Sequence, residues 1–500
     1  MKKVFIIILM SALFFNGKAQ VNGVLLSDTA NIKLIQVWGN HYERGYAQGY
    51  LLANEIYDIY TNYLLPQFGT SMPLAKQIIE EGQHISIDAK YANEAMGMVN
   101  GMALAGIDTT GVDYLDLLVA NSFLDLAGFS GFKNMENGCS SFMSWGNATN
   151  GTNLNGKSVI SRHLDWSNVP PIINNQVIVA HIPSEIDEQP WVMIGHAGQI
   201  GAISAINNNG LCVFQHMLSD FSGPAAQFNM AYEPIWFTLR NAIEMDDYNN
   251  DSEYNCNDIY DAIAFNQNGY ADGFIVTALS PSTAIEDSMI AMVAELAPLS
   301  PLFTFRHNNY FDSIPGDNLY AANYEIKRND HRHWCFRYLG VANNIGTGTN
   351  ISDKINWTLM RDFSNASTGN IQFMQFVPED RYFNLSVYRN GTPAYLNDSI
   401  RYYLDDLFNT TSIKKANEKT SDFKIFPNPF NKTTTLYFDN NKDEIFNLSI
   451  YSIKGDIVKS VNNISGNTFE FSRDTIPNGV YILKLEGSKG TNYKDKIVID

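Results

Sequence analysis

Cysteine is scarce in this chain: four in 500 residues, at positions 139, 212, 256 and 335, with no C-x-x-C pair. Four are too few for a disulfide scaffold, and the missing pair removes the usual spacing of structural zinc. His331, His333 and Cys335 alternate and could share one side of a strand. No fourth ligand stands at a typical spacing, so no metal is expected. Basic residues are also short, 34 Lys and Arg against 52 Asp and Glu, a formal charge of −18. Such a surface opposes phosphate backbones, and nucleic acid is not an expected partner. There is no P-loop pattern and no glycine signature of a dinucleotide fold, so no cofactor is expected. Beyond the first twenty residues no apolar run is long enough to cross a bilayer, so the mature form should have no integral membrane segment.

What the chain does have is globular: 45% apolar and 13% aromatic residues. Its length exceeds one ordinary core and predicts two or three domains. Lys2 and Lys3, the apolar stretch 4–15 and Gly17-Lys18-Ala19 read as a secretory signal over residues 1–20.

Residues 21–138 read as mostly helical. Asn40 and Glu43 form a capping-box pair, after which Tyr42, Tyr46, Ala53, Ile56 and Tyr60 recur at helical spacing. Gly45 and Gly49 share one face of that helix and predict a close backbone approach. From Cys139 the character turns to strands. Segments 140–146 and 157–161 flank two Asn-Gly steps, and 203–206 and 211–217 flank Asn207-Asn208-Asn209-Gly210; both read as hairpins. Helical stretches at 230–245 and 259–265 follow. Strands gathered into sheets with separate helices predict an α+β catalytic region over 139–409. Residues 410–422 read as a polar linker. Residues 423–500 read as a small all-β sandwich, with Phe446, Leu448 and Ile450 alternating, as do Tyr481, Leu483 and Leu485.

The chemistry concentrates at Gly138-Cys139, followed by Arg162-His163-Leu164-Asp165-Trp166. A thiol titrating near ~8.5 needs a base to attack a carbonyl at neutral pH. Cleavage of the Gly138–Cys139 bond would give Cys139 an α-amine titrating near ~7.7–8.0, which is well matched to that task. Nucleophile and base would then sit on one residue. Plainer readings stand beside this one. Cys139 could be a buried small hydrophobe, Arg162 and Asp165 an ion pair at a strand end, and Asn323 a turn residue. Arg337 could lie on the surface with Arg332 in its place. His163 or His216 could serve a Cys–His dyad of the papain kind, which would not need Gly138.

Several blocks resemble the acyl-CoA:6-aminopenicillanic-acid acyltransferase family of autoproteolytic cysteine hydrolases, which is related to choloylglycine hydrolases and acid ceramidases. They are Gly39-Asn-x-x-Glu-Arg-Gly-x-x-x-Gly49, Gly138-Cys139, Arg162-x-x-Asp165-Trp166, Asn208-Asn209-Gly210-Leu211, Ala322-Asn323 and 334–340. The resemblance implies an αββα-sandwich N-terminal-nucleophile (Ntn) hydrolase with Cys139 as nucleophile and self-processing residue. It also implies Asp165 as the acid holding the α-amine, Arg162 as a cation beside the thiol, and Asn323 as an oxyanion donor, with Arg337 at the site. A second oxyanion donor should come from 211–217, where Gln215-His216-Met217 stands in place of the family's frequent asparagine.

The last segment resembles the C-terminal sorting domain of the type IX secretion system. The matching residues are Phe426-Pro427-Asn428-Pro429, the stretch 450–455 and Pro477-Asn478-Gly479 leading into 480–485. That resemblance implies the secretion machinery as a partner and a secreted or cell-surface destination. The expected activity is hydrolysis of a small linear amide through an acyl-thioester on Cys139, with acyl transfer to another amine as a variant. A non-catalytic surface-binding or adhesion protein on a degenerate scaffold is the alternative.

Overall fold

The computed structural model describes residues 21–130, 138–218, 231–282, 288–308, 313–328, 335–364, 366–409, 423–440, 443–452, 457–489 and 492–499. The expected signal at 1–20, the linker at 410–422, and His331, Arg332 and His333 lie outside them. The chain divides into two compact units, Met1–Asn409 and Thr410–Asp500.

Helices predominate among the described residues of 21–138, as expected, but the segment opens on a hairpin that the sequence reading did not include. Strands Gly23–Thr29 and Ile32–Gly39 pair as a hairpin, turned at Ala30 and Asn31 with φ of 54° and 66°. A two-residue left-handed turn of this kind fits the twist of paired strands. Because Ala-Asn lacks the usual glycine, the turn is hard to see in the sequence. Ile32–Gly39 then runs parallel to Gln176–Pro183, which draws this N-terminal piece into the main sheet.

Helix His41–Leu51 starts where expected. The Asn40 side chain accepts from the Glu43 N–H at 3.0 Å, and the Glu43 carboxylate accepts from the Asn40 N–H at 2.9 Å. The helix does not run on as one piece: it is succeeded by Ala53–Ile59, a π-helical turn Tyr60–Leu64 and Leu65–Phe68. The glycine pair has the predicted use. A β-carbon on Gly45 would lie 2.0 Å from the Glu94 carbonyl oxygen, and one on Gly49 2.0 Å from that of Met98. Helix Ala89–Leu104 answers with Gly97 and Gly101, whose β-carbons would meet the carbonyls of Tyr42 and Tyr46. The two backbones therefore touch along a glycine-only seam.

Nine strands form the larger sheet. After the edge hairpin they run Gln176–Pro183, Trp191–His196, Ser204–Asn207, Cys212–Met217, Phe274–Leu279, Ala291–Leu296 and Phe303–His307. A six-stranded sheet has the order Asn318–Ala321, Cys139–Ser144, Val159–Asp165, Asn370–Val377, Tyr382–Val387 and Ile400–Tyr403. Both predicted hairpins are present as neighbouring antiparallel strands. Side chains alternate across each strand. Ile160 and Met374 of the smaller sheet thus meet Ile178 and Phe214 of the larger in one core. The opposite face of the larger sheet packs Val179 and Val213 against Ile56, Met98 and Phe237 of helices. The opposite face of the smaller packs Phe142 and Phe373 against Tyr338, Leu359 and Met360. Helix, sheet, sheet and helix make an α+β, αββα sandwich.

The C-terminal unit is all β, with a three-stranded and a four-stranded sheet. Phe446, Leu448, Ile450, Leu483 and Leu485 are buried against Leu436 and Phe471 of the facing sheet. Among the described residues no helix is long and apolar enough to cross a membrane.

Candidate active site

Three neighbouring strands of the smaller sheet end at the same place. Cys139 opens the central strand, Asp165 closes Val159–Asp165 on one side, and Asn323 follows Asn318–Ala321 on the other. Arg337, on helix Phe336–Ala342, reaches over them. The sheet therefore collects Gly138, Cys139, Asp165, Asn323 and Arg337, residues almost 200 positions apart, at one corner. Arg162 enters from the strand beside Cys139, paired across from Ser141.

The Gly138–Cys139 peptide is held at both polar atoms. Its carbonyl accepts from the Asp165 backbone N–H at 3.0 Å, and its N–H donates to Asn323 Oδ1 at 2.8 Å. Arg337 ties the two sides together, with Nη2 donating to Asp165 Oδ2 at 2.9 Å and Nη1 to Asn323 Oδ1 at 3.2 Å. Asp165 also accepts from the Ser367 N–H at 3.1 Å and Asn370 Nδ2 at 2.8 Å. Its carboxylate is thus fixed on three sides. Asn323 Nδ2, the atom the family resemblance would place at an oxyanion, donates here to the Met217 carbonyl.

Arg162 is fully buried between the sheets. Nη2 donates to the Gln215 carbonyl at 2.8 Å and the guanidinium lies 5.5 Å from the Phe214 ring centroid, while Nε and Nη1 have no hydrogen-bond partner among the described residues. Burial lowers its pKa to about 10, against the pull of Cys139 and Asp165. The Cys139 thiol is only 2% exposed. Burial pushes its pKa up; Arg162 pulls it down, Asp165 pushes it up again, and Arg337 adds a smaller downward pull. The sequence leads one to expect the cation to lower this pKa, but here desolvation of the thiolate outweighs it.

The histidines are elsewhere engaged. His163 contacts the Met360 carbonyl at 3.0 Å and Asn370 at 3.1 Å and stacks on Phe373, while His216 Nε2 lies 2.9 Å from Ser141 Oγ. Burial holds both below the usual histidine range, and neither ring is bonded to Cys139. Among the described residues, His41, Glu185 and Glu188 could group about a metal, but Arg44 already pairs with both carboxylates, at 2.8 and 2.9 Å.

Sequence reasoning did not single out Ser367, Asn370 or Trp236. Asn370 opens its strand at a register shift opposite Asp165, which no local pattern announces. Trp236 donates to Gln215 Oε1 at 3.2 Å, and Gln215 Nε2 has no partner among the described residues. Near the site runs an apolar cleft walled by Tyr63, Phe123, Trp166, Ile203 and Trp236 among others. Trp166 follows Asp165 directly, and Trp236 is bonded to Gln215, whose carbonyl accepts from Arg162; Cys139 itself does not line the cleft.

Residues 424–500 match the secretion-system C-terminal sorting domain family. The chain accordingly carries the signal for type IX secretion to the cell surface or the extracellular space. The chain is also similar to Protein dcd1B of Dictyostelium discoideum, 23% identical over 273 residues, 50% of this chain and 47% of that protein. It thus spans about half the length of that curated relative. Among solved structures it is similar to a Caenorhabditis elegans N-acylethanolamine-hydrolyzing acid amidase ortholog, at 13% identity and TM-score 0.35 over 53% of this chain and 99% of that one. A mutant conjugated bile acid hydrolase from Clostridium perfringens aligns at 11% identity and TM-score 0.33, over 54% and 94%. At this distance the αββα assignment rests on the sheet order and layers themselves.

Proposed function

We propose that this chain is an exported, self-processing amidase that works through Cys139. The observation that carries the reading is the clamped Gly138–Cys139 peptide: a carbonyl held by the Asp165 N–H and an N–H held by Asn323, with a thiol on the next carbon. In the first step Cys139 Sγ attacks the Gly138 carbonyl carbon. The thiol gives up its proton and the thiolate attacks, the oxyanion forms against the Asp165 N–H, the C–N bond breaks as the nitrogen takes up a proton in return, and a thioester remains. Water hydrolyses that thioester, leaving a Gly138 carboxylate and a Cys139 with free thiol and free amine.

In turnover the freed α-amine takes the thiol proton and Sγ attacks a substrate amide. The leaving amine departs with a proton, and water releases the acid. Arg162 sits beside the thiol as the charge that favours thiolate once cleavage admits solvent. Asp165, with Arg337 and Asn370, orients the new amine. Asn323 Nδ2 and Gln215 Nε2 are the side-chain donors nearest to an oxyanion role, Asn323 by exchanging its Met217 partner. The apolar cleft takes the acyl part of a small-molecule amide. Water is the acceptor of choice over a second amine, and an amide rather than acyl-CoA is the acyl donor, because an exported enzyme meets water and rarely CoA.

The test is N-terminal sequencing and intact mass of purified active protein. Two polypeptides are expected, one beginning at Cys139, with Cys139→Ala yielding an uncut and inactive chain. Active material with that peptide bond unbroken sinks the proposal. An uncut, inactive wild-type chain would favour the surface-binding alternative.

A further inference from the structure

Asn323 accepts the Cys139 N–H from outside the strand ladder. Strand Asn318–Ala321 pairs with Cys139–Ser144 as far as Ala321 and Ser141, and that register, continued, would set Asn323 opposite Cys139. The pairing stops at Ala321, and the chain bends at Ala322 and Asn323. Where a ladder would use a backbone carbonyl, the Cys139 N–H meets the side-chain oxygen Asn323 Oδ1, at 2.8 Å. A side chain keeps such a place only if the backbone beneath it is held, and sheet pairing no longer holds it.

The hold comes from the facing sheet. Glu295 lies on strand Ala291–Leu296 and Arg306 on its neighbour Phe303–His307, both side chains fully buried. Glu295 Oε1 accepts from the N–H groups of Ile326 at 2.9 Å and Lys327 at 3.1 Å, and Oε2 from that of Arg328 at 2.9 Å. Arg306 Nε donates to Glu295 Oε1 at 2.9 Å, and Thr304 Oγ1 to Oε2 at 3.0 Å. Arg306 Nη1 meanwhile donates to the Tyr320 carbonyl at 3.1 Å. One buried ion pair therefore grips the chain on both sides of Asn323, before it at 320 and after it at 326–328. Lys327 Nζ and Arg328 Nη2 add bonds to the carbonyls of Phe305, at 2.6 Å, and Leu299, at 2.9 Å.

Successive N–H groups turned to one carboxylate make a concave donor set, and bonds to an ionised acceptor are about twice as strong as neutral ones. With so many donors converging on it, the Glu295 carboxylate cannot shift without taking the loop along. We infer that Glu295, paired with Arg306, is a positioning residue for Asn323. It fixes the bend so that Oδ1 stays on the nitrogen of residue 139, which is the leaving group of self-cleavage and afterwards the α-amine. The inference rests on the amidase reading and adds a residue that bonds to none of the reacting groups.

Time courses of self-cleavage, read as the two fragments on gels, test this in full-length wild type, Glu295→Gln, Asn323→Ala and the double variant. Glu295→Gln keeps the shape but turns one acceptor oxygen into a donor facing other donors. It should slow cleavage about tenfold to a hundredfold, as a misplacement of about an ångström does. In the Asn323→Ala background the same change should alter the rate less than about twofold, because the residue it positions is gone. Cleavage of Glu295→Gln at the wild-type rate overturns the inference, as does equal slowing in both backgrounds, the mark of general loosening. Should Glu295→Gln not fold, Arg306→Lys decides by the same criteria, since one ammonium nitrogen cannot serve both Glu295 and the Tyr320 carbonyl.

Hydrogen exchange reads the positioning without any cleavage. In the uncut Cys139→Ala chain, adding Glu295→Gln should speed exchange of the residue-139 amide about tenfold and leave the amides of Val159–Asp165 unchanged. An unchanged residue-139 amide overturns the inference whether or not the protein processes itself. A wild-type chain that never cuts itself overturns the amidase reading instead.

Discussion

Arg337 lies directly on the α-carbon of Gly138: a β-carbon built there would stand 1.5 Å from Nη1 and 2.1 Å from Cζ. The residue ahead of Cys139 thus has no side chain because the guanidinium that bridges Asp165 and Asn323 occupies its place. Gly138→Ala should push Arg337 off this bridge and misalign the scissile carbonyl. Displacements of about an ångström cost on the order of a hundredfold in rate. The appearance of the two fragments over time, read on gels, would check this; cleavage at the wild-type rate would show that Arg337 has no part in it.

The raised pKa of the Cys139 thiol sets a pH dependence for self-cleavage. Only thiolate attacks, and burial holds the thiol above its ordinary value. The rate should therefore climb from neutrality through that value without levelling off. Arg162→Gln removes a charge that opposes burial and should shift the profile further alkaline. Time courses of processing at graded pH test both, and a profile flat above neutrality contradicts them.

Arg240 is buried with Glu94 Oε2 at 2.6 Å and Glu244 Oε2 at 2.8 Å. Replacing it by leucine takes the guanidinium from two buried carboxylates, leaving Glu94 with His41 and Glu244 with Lys90. A loss of about 3–5 kcal/mol is expected, as for other buried pairs that lose one partner. Denaturant unfolding of Arg240→Leu against the wild type measures it, and a loss below about 1 kcal/mol would mean that water reaches the carboxylates.

His41 stands between Glu94 and Glu188, 2.8 Å from each, among Arg44, Lys90, Arg240, Glu185 and Glu244. Burial works against its charge, but the bonds to Glu188 and Glu94 prevail and raise its pKa above 6.5. The folded state binds this proton more tightly than the unfolded one. Its contribution is therefore full below 6.5 and is lost as pH rises through the raised folded value. Melting curves of wild type and His41→Gln should converge as pH increases, and a gap that widens would reverse the sign.

Gly49 supports the helix seam. A β-carbon there meets the Met98 carbonyl oxygen at 2.0 Å, a backbone atom that cannot swing aside. Gly49→Ala should cost about 1–3 kcal/mol despite alanine's better helix propensity. An unchanged melting temperature would mean that the two helices slide apart freely.

Some of this was legible because its causes are local. The capping box at Asn40 and Glu43 closes within one helical turn, and the hairpins before Lys157 and Leu211 were marked by Asn-Gly steps. The sorting unit showed itself by strict alternation and turn residues. The N-terminal hairpin escaped notice because its turn is Ala-Asn and one strand pairs in parallel with a segment more than a hundred residues on. Asn370 and Ser367 escaped for a similar reason, since they matter only through Asp165.

By itself the amino-acid order settled where elements start and turn, which faces are apolar, and that a glycine precedes the one cysteine with an Arg-x-x-Asp strand after it. Those properties depend on hydrogen bonds and side-chain periods spanning a few residues. Tertiary structure alone decided that Asn323 receives the Cys139 N–H across 184 positions, that Arg337 covers Gly138, and that burial outweighs Arg162 at the thiol. Each of these follows from sheet order and desolvation, which exist only once distant strands have been brought side by side.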